Sequence, residues 1–117
     1  MLALLAVLLG VAHPPAAYVS VGTQHVPLAI SSWCWGGRCG APIAASTKTA
    51  VVSRGSTVRV ELRFAPQRVL VAVAGFPERA SIAGREVTWR ATHAGGITVN
   101  VRATPGFITY VGRLRLK

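Results

Sequence analysis

Both cysteines of the chain fall within seven residues, Trp33-Cys34-Trp35-Gly36-Gly37-Arg38-Cys39. Such a pair can be a reactive dithiol, half of a metal site or a structural disulfide. Gly36-Gly37 suits a two-residue type I′ hairpin turn, which needs positive φ at both positions. Trp35 and Arg38 then flank the turn as a hydrogen-bonded pair. Cys34 and Cys39 come next, as a non-hydrogen-bonded pair with α-carbons about 4.5 Å apart, within disulfide reach. The spacing favours a staple across the hairpin neck, stabilising by nearer 2 than 4 kcal/mol, about what so short a loop supplies. A redox pair is more often C-x-x-C at a helix start, where the thiol pKa falls. A zinc site needs about four ligands, and the two cysteines with His25 and His93 would just supply them. Nothing in the sequence ties His93 to the cysteines. Both alternatives stay open behind the staple, and no metal or cofactor is expected.

Other catalytic constellations are poorly supplied. There is no Asp, and the acids are Glu61, Glu78 and Glu86. Glycoside hydrolysis needs two carboxylates across a cleft. Glu61 lies between two arginines of an alternating segment, where a cross-strand charge partner is the simpler role. Glu78 and Glu86 lie in or beside turns. A Ser-His-Asp triad lacks its Asp, and neither G-x-S-x-G nor a phosphate-cradling Gly-rich loop before a helix is present. A copper site of two His, a Cys and a weak Met lacks its Met, since Met1 is the only one. An enzyme is therefore not expected, and no catalytic residue is assigned.

These residues are carried by segments of period two rather than 3.6. In residues 56–65, Val58, Val60, Leu62 and Phe64 face one way and Arg59, Glu61 and Arg63 the other. Further strands are expected at 68–74 (central, from its scarcity of polar residues), 85–91, 96–103 and 106–117. Weaker ones are expected at 18–21, 26–35 and 49–53. Gly- and Pro-containing turns separate them. Seven or eight short antiparallel strands, with no ten-residue helix, predict an all-β sandwich over residues 18–117. Trp33 and Trp35 share one face of their strand, opposite Cys34. They are either core, or an exposed contact patch with Arg38 for a sugar, lipid or protein. Trp89 is the expected core tryptophan.

Residues 2–12 form an unbroken apolar run, too short to span a bilayer, which needs about 20 residues. It has the length of a signal-peptide core. Residues 1–17 are read as an export signal cut after Ala12 or Ala17, which gives a secreted or cell-envelope protein and an oxidising setting for the cysteines.

The segment Ser31-Ser32-Trp33-Cys34-Trp35-Gly36-Gly37-Arg38-Cys39, a Gly-initiated strand from Arg54 and the closing hairpin His93–Lys117 together resemble small secreted bacterial proteins of immunoglobulin-like fold. In those proteins an S-x-C-W-x-x-x-C segment precedes the sandwich. The likeness covers residues 26–117, with Ser32, Cys34, Trp35 and Cys39 its most specific part. It implies an extracytoplasmic sandwich with a disulfide and implies no activity. The strong basic charge of this chain departs from that type.

Thirteen Lys and Arg face three Glu, a formal charge of +10. Eleven of the thirteen are Arg, and Ala and Gly are abundant, so compositional bias explains part of the excess but not the scarcity of acids. Arg59, Arg63, Arg90, Arg102, Arg113, Arg115 and Lys117 fall on outward strand positions and would form one basic platform if they shared a sheet. Such a surface suits an anionic envelope polymer or lipid headgroups. Nucleic acid fits less well, because aromatics for base stacking do not alternate with the charges. The expected function is a non-catalytic module acting by surface binding. A polyanion-binding basic protein and an envelope thiol–disulfide protein are the alternatives.

Overall fold

Side chains of an extended chain point alternately to opposite faces, so period-two segments can bury one face and solvate the other. The computed structural model describes residues 13–45 and 48–117. The apolar run 2–12 lies outside them. Every regular element among the described residues is a strand: β1 (Tyr18–Val21), β2 (Gln24–Pro27), β3 (Ala29–Trp35), β4 (Arg38–Gly40), β5 (Ala50–Val52), β6 (Thr57–Glu61), β7 (Arg68–Val73), β8 (Phe76–Pro77), β9 (Ser81–Ala83), β10 (Glu86–Arg90), β11 (Gly95–Ala103) and β12 (Gly106–Leu116).

The strands form two sheets. One has five strands in the order β2-β1-β6-β10-β9. The other has seven, in the order β4-β3-β12-β11-β7-β8, with β5 pairing the far end of β12 in parallel. The apolar faces of the two sheets meet in a single core. Val19, Val60 and Val87 lie side by side across the five-stranded sheet. Ile30, Tyr110, Val99 and Val71 make the corresponding row in the other. Each such side chain contributes about 1.5–3 kcal/mol when fully buried. Val58, Val60 and Leu62 are buried as their alternation requires, and Phe64 is half-buried at the margin.

Tyr110 is the largest fully buried side chain. Its hydroxyl donates to the carbonyl of Pro15 at 2.7 Å, and burial pushes its pKa above the ordinary tyrosine value. Pro14 and Ala17 are buried too, and the Ala17 carbonyl accepts from Leu28 N at 3.0 Å. The segment before β1 is thus packed into the domain.

The observed architecture is the expected all-β sandwich, with twelve strands where seven or eight were expected. The run 26–35 is two strands. Pro27 has no N–H for a ladder bond, and at Leu28 the chain leaves the five-stranded sheet for the seven-stranded one. Strand β7 was expected to be central, but its outer neighbour is only the two-residue β8. Its Leu70, on the outer face of that sheet, is 57% exposed.

Candidate functional site

Gly36 and Gly37 have φ of 62° and 81°, the positive values a type I′ turn needs. Strands β3 and β4 then pair Trp35 with Arg38 and Cys34 with Cys39. The two cysteines form a disulfide, with α-carbons 3.9 Å apart. The turn before β12 is pressed against this hairpin, since Gly36 N donates to the Pro105 carbonyl at 3.0 Å. Gly106 sits so close to β3 that a β-carbon there would collide with the Cys34 carbonyl.

The disulfide takes the outward face of the hairpin, and period two therefore turns both tryptophans inward. Trp35 is buried, its ring 4.9 Å from that of Phe64. Trp33 is half-buried over Gly40, and its indole N–H donates to the Ala41 carbonyl at 2.9 Å. An exposed patch of Trp33, Trp35 and Arg38 is therefore absent, and Arg38 alone of the three is fully exposed. Trp89 is buried, as expected of a core tryptophan.

The basic residues do not form one platform. Arg59 and Arg90 lie on the outer face of the five-stranded sheet, whereas Arg102, Arg113 and Arg115 belong to the seven-stranded one. Lys117 follows β12, its N–H bonded to the Val52 carbonyl. Arg59 is ion-paired with Glu86 at 3.4 Å, and Arg63 stands over the Tyr18 ring at 5.7 Å. Periodicity shows which way a side chain points but not which strands become neighbours, and the cross-sheet order divides these residues.

That order creates a different grouping. Across the outer face of the seven-stranded sheet, Cys39, Cys34, Phe107, Arg102 and Arg68 are successive register partners. The next outward row runs Ser32, Thr109, Asn100, Leu70. Arg68, Leu70, Asn100, Arg102, Phe107 and Thr109 line a surface depression of about 320 Å³. Leu70 and Phe107 are two of the four large apolar side chains exposed on the described surface. Thr109 Oγ1 donates to Asn100 Oδ1 at 2.7 Å, which occupies the Asn100 carbonyl and leaves its two amide N–H donors available.

Electrostatics separate the two sheet faces. Glu61 and Glu86 are register partners on the five-stranded sheet, and Glu78 bonds to His93. Among the described residues, no acid belongs to a strand of the seven-stranded sheet, and Glu78, which borders a depression beside Leu70 and Asn100, is committed to His93. Arg68 stands directly opposite Arg102 there, and neither has a carboxylate within ion-pair distance among the described residues. Like charges directly opposite on neighbouring strands destabilise a sheet. Reasoning from the sequence named Arg102 but missed Arg68, Phe107, Leu70 and Asn100. Their outward phase was readable in the alternation; their adjacency was not.

Two other polar clusters combine groups used in catalysis. Ser20 Oγ donates to Glu61, and His25 Nδ1 lies 3.1 Å from Ser20 Oγ and 3.6 Å from Glu61 Oε2. The His25 ring stacks on Tyr18 at 4.4 Å. A Ser-His-acid relay places its serine and its acid on opposite ring nitrogens. Here both partners gather at Nδ1 and the serine proton is directed to the acid, so the arrangement is a hydrogen-bonded surface cluster. In the second, His93 Nδ1 lies 2.9 Å from Glu78 Oε2, and its ring stacks on Phe76 at 4.2 Å. Thr92 Oγ1 donates to Glu78 Oε1 at 3.4 Å. This ties the β7–β8 hairpin to the loop before β11. The two histidines weighed as metal ligands thus sit in separate clusters, away from the disulfide.

Compared with known proteins, the chain matches no family profile, no curated sequence and no solved structure.

Proposed function

We propose that the protein is a non-catalytic, immunoglobulin-like module of the cell envelope or exterior, and that it acts by binding anions on the outer face of the seven-stranded sheet. The observation that carries this reading is the Arg68–Arg102 pair, without a carboxylate within ion-pair distance among the described residues and beside exposed Phe107 and Leu70. Folding gains nothing from two guanidinium groups in register, whereas a bound anion neutralises both with charge-assisted hydrogen bonds.

The immunoglobulin-like part is supported by strand order. Strands β9-β10-β6 and β8-β7-β11-β12 follow the D-E-B and C′-C-F-G orders of that fold. Export is supported by the disulfide and by the apolar run at residues 2–12. The cysteines close a hairpin of strands instead of opening a helix, the setting that lowers a thiol pKa. This favours a staple over a redox role.

Retention on phosphocellulose over a salt gradient tests the reading. Arg68→Gln with Arg102→Gln is compared with Arg85→Gln with Arg90→Gln, an equal loss of charge away from that face. The first variant is expected to elute at clearly lower salt than the second. Equal elution would mean that net charge, not this face, governs binding.

A further inference from the structure

We infer that the depression lined by Arg68, Arg102, Phe107 and Asn100 is a subsite for an acidic sugar unit of an anionic glycan. The inference rests on the binding face proposed above and names what it takes. Three kinds of group converge there. Arg68 and Arg102 are opposite in register, and a guanidinium pair suits a carboxylate or phosphate, which accepts parallel N–H donors. Phe107, 39% exposed, is the register partner of Arg102 on the other side. Its ring is apolar with a negative face, which suits the C–H face of a pyranose. Asn100, in the adjoining row, has its carbonyl held by Thr109 Oγ1, so its amide donors remain available to a sugar hydroxyl.

The shape and polarity of the site argue against the other anions. Docking on a lipid surface requires apolar side chains that sink about 5–10 Å into the headgroup boundary. Here Phe107 and Leu70 line a depression with Arg102 and Asn100 on the strand between them. Single-stranded nucleic acid is gripped by successive aromatic platforms, and this depression offers one aromatic ring.

Binding to three probes at about 150 mM salt, where long-range charge attraction is screened beyond about 8 Å, tests the inference. The probes are a galacturonic-acid oligomer, a phosphomannan, and vesicles of phosphatidylcholine with phosphatidylglycerol. At least one acidic glycan is expected to bind, and methyl esterification of the galacturonate oligomer is expected to abolish its share. Arg68→Gln with Arg102→Gln should weaken glycan binding by about tenfold or more, the scale of one charged hydrogen bond lost. Phe107→Thr should weaken it by about threefold to tenfold, with unchanged melting temperature as the folding control. Vesicle binding that depends on Arg68 and Arg102, without glycan binding, overturns the glycan assignment and leaves the binding face standing. Glycan binding that falls equally in Arg85→Gln with Arg90→Gln overturns both. Failure of both glycans to bind overturns the subsite.

Discussion

Replacing Tyr110 by Phe removes one hydroxyl from the centre of the sandwich and tests the packing of the N-terminal segment. The hydroxyl is fully buried, and its bond to the Pro15 carbonyl is 2.7 Å long. Losing it, with the carbonyl left short of a donor, costs about 1–2 kcal/mol near neutral pH. For a domain of this size each kcal/mol lowers the melting temperature by about 4–8 °C. The alkaline limb is more diagnostic. Burial raises the Tyr110 pKa above its ordinary value, so the folded chain keeps a proton that the unfolded chain releases. Stability from this group is therefore full below about pH 10 and is lost as pH rises beyond it, by up to about 1.4 kcal/mol per pH unit. The Phe variant lacks this loss. The two stability curves should run apart at pH 8 and meet about one unit above pH 10. Urea unfolding from pH 8 to about 11.5 measures both curves. Parallel curves across the whole range would refute the placement of a protonated, buried Tyr110 against Pro15.

Three further outcomes are expected. Cys34→Ser with Cys39→Ser should leave the fold intact and cost about 2 kcal/mol, because the closed loop is short; circular dichroism and thermal melts decide this. Gly106→Ala should cost more than about 3 kcal/mol, the upper range for point changes, because its β-carbon meets the Cys34 backbone carbonyl. Gly112→Ala collides with no backbone atom, only with the Leu28 side chain, which can move, so its melting temperature should fall much less. If the proposed export signal is cut, the mature chain should begin at His13 rather than Tyr18, since a cut after Ala17 would discard buried Pro14 and the acceptor for Tyr110; intact mass of the natively expressed chain decides it.

The parts of this fold that were readable in the sequence are those governed by neighbours along the chain. The alternation in 57–61 and 106–116 announces strands and their buried faces, and Gly36-Gly37 between cysteines announces a stapled hairpin. Strands β4, β8 and β9 are two or three residues long, too short to show a period. The change of sheet at Leu28 needs only one residue, and apolar character continues through it. The candidate site was hidden for a different reason. Arg68, Arg102 and Phe107 belong to three strands, and only the antiparallel register of β7, β11 and β12 brings them into one row. The facing of the tryptophans stayed open in the sequence because a staple facing outward and a staple facing inward fit the same spacing.

Compositional bias accounts for many arginines but not for where the glutamates went. With three acids against thirteen basic residues, a fold selected only for solubility would spread the acids so as to relieve the closest like charges. Here Glu61 and Glu86 are opposite one another on the five-stranded sheet, partnered by His25 and Arg59, and Glu78 is committed to His93. The closest register pair of arginines, Arg68 and Arg102, receives none. Two of the three acids thus sit on the five-stranded sheet, and the Arg68–Arg102 pair on the other has no carboxylate within ion-pair distance among the described residues. The same asymmetry explains why net charge alone was a poor guide to the site: most of the +10 lies on residues scattered over both faces, and the discriminating feature is one unrelieved pair beside an exposed ring.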